Sequence, residues 1–171
     1  LEHYMSRGFY GQVNGSLFKA EYRGLDKKWR NQMYDRGYML KVLGGKEWML
    51  GKRKQNVFNV SVKYTLQGGL RHTPIDVAAM KANVAAGIID DQPIYKEDEA
   101  MSLQFSPTSL LDLTVSYKIN CKKVSHTIAF EGVNILQHES PYAERFDFGT
   151  GELRTDKSSI SLPNVFYRID F

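Results

Sequence analysis

No run of apolar residues in this chain of 171 residues is long enough for a membrane-spanning helix, and mean hydropathy is −0.41. That absence leaves membrane strands open, because only alternate residues of such a strand need be apolar. Cysteine is nearly missing: Cys121 stands alone, so no internal disulfide can form, and no Cys/His spacing suits zinc or another metal. Charge of one sign is not concentrated. The net charge is +4 with a pI near 9.1, and the basic residues are scattered apart from Lys52-Arg53-Lys54 and Lys122-Lys123, both in turn segments. Without a clustered basic face and aromatic platforms, nucleic acid is not an expected partner. The opening Leu1-Glu2-His3-Tyr4 has neither an initiator Met nor a charged-then-apolar signal, and reads as a fragment whose start is missing. Internal repeats and low-complexity tracts are also absent.

What is present is aromatic and alternating. Tyr (10) and Phe (9) favour strands over disorder. Successive strand side chains point to opposite faces. Between Val57 and Leu66, Phe58, Val60, Val62, Tyr64 and Leu66 share one face opposite Asn59, Ser61, Lys63 and Thr65. Leu111, Leu113, Val115, Tyr117 and Ile119 oppose Asp112, Thr114, Ser116 and Lys118. Val124, His126, Ile128 and Phe130 oppose Ser125, Thr127, Ala129 and Glu131. Phe9–Ala20 and Arg36–Trp48 alternate less cleanly. At the end of the chain, Val165, Tyr167, Ile169 and Phe171 oppose Asn164, Arg168 and Asp170, with Phe166 on the polar side. These make about six strands, near the length a tilted membrane strand requires.

Connections alternate in length. Met5–Gly8, Gly51–Asn56 and Asn120–Lys122 are short, Gly24–Asp26 is intermediate, and Gly68–Ala100 and Gln137–Thr155 are long. Antiparallel strands put successive connections at opposite ends, so short turns collect at one end and long loops at the other, as in outer-membrane barrels. The first long loop holds one short helix over Val77–Ala86, with Asp76 as N-cap and Gly87 as stop, followed by acidic Asp90, Asp91, Glu97, Asp98 and Glu99.

Alternation alone also fits a soluble antiparallel ligand-binding module whose apolar stripes form a shared core. Two features favour a membrane instead: the stripes carry no charge, and aromatics such as Tyr4, Phe9, Tyr117, Tyr167 and Phe171 gather toward strand ends. Six strands cannot close a membrane barrel, since the smallest use about 8. An open edge in hydrocarbon costs several kcal/mol per unpaired backbone group. The expectation is an all-β, antiparallel up-and-down sheet forming part of a larger transmembrane barrel.

The chain resembles the C-terminal barrel segment of TonB-dependent outer-membrane receptors, in the form common in Bacteroidetes. The resemblance rests on Leu1–Tyr10, Tyr22-Arg23-Gly24-Leu25-Asp26, Trp29-Arg30-Asn31, Gly44-Gly45-Lys46-Glu47, Gly68–Asp76 and Leu162–Phe171, in the expected order. It implies a barrel of about 22 strands with a plugged lumen, of which residues 1–171 are the C-terminal fragment. Leu1–Tyr4 would end a preceding strand, the short turns would be periplasmic and the long loops extracellular. Implied partners are outer-membrane lipid, the rest of the barrel with its plug, the TonB complex acting through that plug, and the barrel-assembly machinery. Tyr167, Ile169 and Phe171 would carry the assembly signal. The substrate would be a small molecule, glycan or peptide of unspecified identity. Plug, TonB-contacting segment and signal peptide are absent from these residues.

No catalytic constellation or cofactor site stands out, and an enzyme is not expected. His72 near Asp76, and His138 beside Glu139, can be drawn as acid–base pairs, but no nucleophile sits at a defined spacing. Gly68 and Gly69 suit unusual backbone angles where a strand leaves the sheet, with Arg71 pairing to Asp76 or another acidic loop residue. Trp29, Arg30, Arg71, His72 and Tyr95 are the candidate ligand contacts, with Arg as directional donor and the aromatics as stacking surface. Asn59, Ser61, Lys63, Asp112, Ser116, Lys118 and Glu131 are expected to face the lumen, and His126 the membrane near a strand end.

Overall fold

A computed structural model describes residues 1–88 and 92–171, apart from the side chains of residues 4 and 5; the sequence readings of Tyr4, Asp90 and Asp91 lie outside it. The strands begin with β1 (Glu2–Ser6), β2 (Phe9–Leu17), β3 (Glu21–Arg23), β4 (Trp29–Asn31), β5 (Tyr38–Leu50), β6 (Asn56–Gln67) and β7 (Arg71–His72). Helix α1 (Val77–Ala85) and a single 3-10 turn at Glu97–Glu99 follow. Then come β8 (Leu103–Gln104), β9 (Thr108–Asn120), β10 (Ser125–Val133), β11 (Ser140–Asp147), β12 (Glu152–Ser158) and β13 (Leu162–Asp170).

Seven strands form one antiparallel sheet in the order β1-β2-β5-β6-β9-β10-β13. Apart from the inserted hairpins this is an up-and-down meander. It is open: β1 and β13 are its edges, and no barrel closure occurs among the described residues. The remaining strands pair locally as β3-β4, β7-β8 and β11-β12.

Register is continuous from β2 to β13. Phe9 pairs with Lys46, Lys46 with Val60, Val60 with Val115, Val115 with Phe130, and Phe130 with Val165. Two residues nearer the short turns, Trp48, Phe58, Tyr117, Ile128 and Tyr167 form the next row. Alternation therefore sums into one broad apolar face. It carries one charge that the sequence reading missed, on Lys46. Strand β5 runs past Trp48, and its parity puts Lys46 among the apolar residues. Its ammonium lies 4.2 Å from the Phe9 ring centroid and 5.1 Å from that of Trp48. The aliphatic stem can cover apolar surface while the charge meets the two ring faces.

The chain does not cover this face. Val62 (39%), Ile128 (54%), Val165 (66%) and Tyr167 (60%) are exposed. The buried side chains of the sheet, Thr65, Thr108, Thr127 and Ala129, all belong to the polar face. There side chains converge across strands. The Tyr10 ring lies over Gly45, and the Tyr10 hydroxyl bonds the Asn59 side chain, whose amide donates to it at 2.8 Å. Lys63 pairs with Asp112 at 2.8 Å, and Asp112 also accepts from the Asn134 backbone N–H at 2.9 Å.

Both connection classes are sorted by end. At one end Arg7-Gly8 forms a two-residue turn with both φ positive (53° and 83°), the twist-matched type I′ geometry, and Gly51–Gln55 and Cys121–Val124 are short. At the other end residues 18–37, 68–107 and 134–161 make long excursions. The segment around Gly24–Asp26 is thus the tip of a long loop, not an intermediate connection. The helix prediction is met closely: Asp76 caps α1 by accepting from the Ala79 N–H at 2.9 Å, and Gly87 follows it at φ 76°.

The core of buried residues lies in these loops and not against the apolar face. Ile75, Met80 and Phe146 are buried together, with Val77, Val84, Ile94 and Phe148 packed on them.

Gly45→Val drives a side chain into the Tyr10 ring and destabilises the sheet by about 1–3 kcal/mol. Gly44→Val, on the opposite face where an added Cβ meets nothing within 4 Å, leaves stability nearly unchanged. Denaturant unfolding of the two variants under the same conditions reads the difference.

Candidate functional site

The long-loop end carries a pocket of about 330 Å³ lined by Arg71, His72, Thr73, Tyr95, Glu97, Tyr142 and Glu144, with Met33, Leu70 and Met101 as its apolar parts. Strand β7 presents Arg71 and His72, the segment before the 3-10 turn supplies Tyr95, and β11 supplies Tyr142 and Glu144. Three of the five residues suggested from sequence, Arg71, His72 and Tyr95, therefore meet. Trp29 and Arg30 do not line the pocket. On β4, Trp29 is exposed and Arg30 makes a bidentate pair with Asp26 at 2.9 and 2.7 Å. Arg30 is thereby the strut of its own hairpin.

Arg71 is anchored from below. Its Nε donates to the Asp35 carboxylate at 3.1 Å and to the Asp35 carbonyl at 3.2 Å. Asp35 is almost completely buried and also accepts from the Ala20 N–H at 2.9 Å. Its carboxylate thus ties residues 18–37 to β7. Of the two pairings expected for Arg71, with Asp76 or with another acidic loop residue, the second is the one formed; Asp76 caps α1.

His72 stacks on Phe105 with centroids 3.9 Å apart and planes 10° from parallel. Its acidic neighbour is Glu144, with Nε2 to Oε2 at 3.5 Å, and not Asp76. That distance allows ion attraction when the ring is protonated, but it is too long for a well-formed hydrogen bond. Both ring nitrogens and Glu144 Oε2 are buried without a hydrogen-bond partner among the described residues. Among the described residues no ion pair joins His138 to Glu139; the His138 backbone N–H donates to Asn134 Oδ1 at 3.0 Å.

Gly68 and Gly69 are required for a different reason from the one expected. Neither has a positive φ. An added Cβ would lie 1.8 Å from the Arg36 carbonyl oxygen at Gly68 and 2.1 Å from that of Phe105 at Gly69. Close backbone approach excludes any side chain there.

Tyr142, Glu144 and Asp35 went unrecognised in the sequence. A signal was there for the first two. Ser140–Asp147 and Glu152–Ser158 flank the Gly-Thr-Gly stretch at residues 149–151, a hairpin pattern with turn residues between strands. Asp35 had none, since only burial distinguishes it from a surface carboxylate.

The arrangement offers two tyrosine rings, carboxylates at Glu97 and Glu144, and a guanidinium held at a fixed angle. Such a set suits non-covalent recognition of a polar ligand with an apolar face. Among the described residues no group of three or more His, Cys, Asp and Glu side chains could hold a metal ion. Comparison with known proteins gave no counterpart: no family model, no curated protein and no solved structure matches the chain.

The Arg30 guanidinium, with help from the Lys28 backbone N–H, holds Asp26 down to about 2 from the ordinary 3.8. Because the folded value is depressed, the stabilisation is complete above the unfolded value and is lost as pH falls through about 2. An NMR carboxyl titration should place the Asp26 midpoint near 2, rising toward its ordinary value in Arg30→Gln. Arg71→Ala strands the buried Asp35 carboxylate and costs about 3 kcal/mol. Hydrogen exchange reads this as faster opening of residues 18–37 and 68–76, with β6 and β9 unchanged.

Proposed function

We propose that the chain is part of an outer-membrane barrel of the TonB-dependent receptor kind, supplying strands to the wall and loops to ligand capture. One observation carries this: the sheet exposes its apolar face, while its buried and internally bonded side chains lie on the polar face. In water that arrangement leaves a large apolar surface without cover. Against acyl chains it is the favourable one, since lipid-facing and lumen-facing residues alternate along every strand.

Three further features support it. Convergence of Tyr10, Gly45 and Asn59 from three neighbouring strands is what the concave side of a curved sheet produces. Aromatic side chains collect on the apolar face toward the short turns, at Trp48, Phe58, Tyr117 and Tyr167. His126, on that face beside Ile119 and Ile169, contacts the Tyr167 hydroxyl at 2.6 Å, which pairs two polar groups at the depth of an interface. No helix among the described residues is long and apolar enough to cross a membrane, which says nothing of strands.

In this assignment further strands cover the edges β1 and β13, since unpaired backbone in hydrocarbon is too costly. Asn59, Ser61, Lys63, Asp112, Ser116, Lys118 and Glu131 face the lumen. The pocket around Arg71, His72 and Tyr142 opens to the side from which ligand arrives, and the role is binding and passage without catalysis. Tyr167, Ile169 and Phe171 would offer the last strand to the assembly machinery.

Val62→Arg puts a charge on the lipid face and costs about 2–4 kcal/mol at mid-depth, whereas Ser61→Arg, on the lumen face, costs little. Folding yield into lipid vesicles compares them. Equal yields would show that the apolar face does not meet lipid. Well-dispersed, cooperatively unfolding protein in plain buffer would favour the soluble binding module instead.

A further inference from the structure

The three short turns share a property that membrane insertion alone does not require. Their charged residues are Arg7, Lys52, Arg53, Lys54, Lys122 and Lys123, and residues 7–8, 51–55 and 121–124 contain no Asp or Glu. All six cations are exposed, and all lie at the same end of the sheet. None forms an ion pair among the described residues.

Acidic groups near this end are turned away onto the polar face and engaged there. Glu47 accepts from Asn59, and Asp170 lies beside Lys118 and Arg168. On the apolar face just inside the turns stands Lys46, its ammonium against Phe9 and Trp48. Polar tips join it: Asn56 donates to the Tyr117 hydroxyl at 3.2 Å, and His126 contacts Tyr167. The order from sheet to turn is therefore apolar, then aromatic with one cation, then purely cationic.

We infer that the short-turn end is a docking surface for the headgroups of anionic glycerophospholipids in the adjoining leaflet. This rests on the membrane assignment above and goes beyond it by naming the lipid class. Charge complementarity selects the occupant: unpaired ammonium and guanidinium groups meet phosphodiester oxygens, while the aromatic row fixes the depth at which they do so. Lys46 reaches the same level by extending its stem along the Phe9 and Trp48 rings.

The test uses the purified chain sedimented with vesicles of phosphatidylcholine alone, or of equimolar phosphatidylcholine and phosphatidylglycerol, at low and high salt. The expected result is retention by both, with a preference of roughly tenfold or more for the anionic vesicles, lost at high salt because the turns are exposed. A variant combining Lys52→Gln, Arg53→Gln, Lys54→Gln, Lys122→Gln and Lys123→Gln keeps phosphatidylcholine retention and loses the preference. The salt dependence of the unsubstituted chain reads the same interaction independently of how that variant folds. Equal retention by both vesicles overturns the lipid-class inference and leaves the membrane assignment standing. So does a preference unchanged by both salt and substitution. Retention by neither, or capture of an oligonucleotide in place of either vesicle, overturns both.

Discussion

Everything else in the molecule depends on an unbroken hydrogen-bond register across the strands from β2 to β13. Because strand side chains alternate with period two, slipping one strand by one residue would move its whole apolar set to the polar face. The observed pairings hold Val60, Val115, Phe130 and Val165 in a single row. They also keep Lys63 opposite Asp112 on the other side. At the start of β2 the Gly8 carbonyl accepts from the Glu47 N–H at 2.8 Å, and Gly8 lies against the Glu47 carbonyl where no side chain fits, which ties β2 to β5.

The architecture has two hydrophobic systems with different partners. One is the small loop core of Ile75, Met80 and Phe146, which the chain completes by itself. The other is the apolar sheet face, which it does not complete. The loop core, the Asp76 cap and the Asp35–Arg71 pair together make the long-loop end a shaped structure, with Arg71, His72, Tyr142 and Glu144 of the pocket held on β7 and β11. The basic short turns give the opposite end of the sheet a chemistry different from that of the pocket end.

Most of the main sheet was legible in the residues. All six alternating segments recur as strands, and Leu1–Tyr4 falls largely in β1, because period-two patterning survives any packing that keeps one face apolar. Errors arose where parity had to be carried through a noisy stretch. Gly44 and Gly45 interrupt the apolar pattern of β5, which hid the placement of Lys46. The pairs β3-β4 and β7-β8 were read as loop because their strands have only three and two residues, whereas β11-β12, with eight and seven residues about Gly-Thr-Gly, carried a hairpin pattern that went unread. Arg71 and Tyr95 could be picked out by residue type, but their neighbours Tyr142 and Glu144 come from a segment some fifty residues or more away. Loop glycines misled in an instructive way. Gly68 and Gly69 looked like torsional devices, whereas they are points where two backbones nearly touch.

The amino-acid sequence by itself determined the strands of the main sheet, the helix with its Asp76 cap, and the sorting of short and long connections, because these follow from local periodicity and chain direction. Tertiary structure alone decided that Arg71 is held by Asp35, that His72 faces Glu144, and that the buried side chains of the sheet lie on its polar side. Those outcomes depend on which segments meet in space, and burial of a carboxylate or crowding at a glycine is a property of neighbours that no single stretch of chain contains.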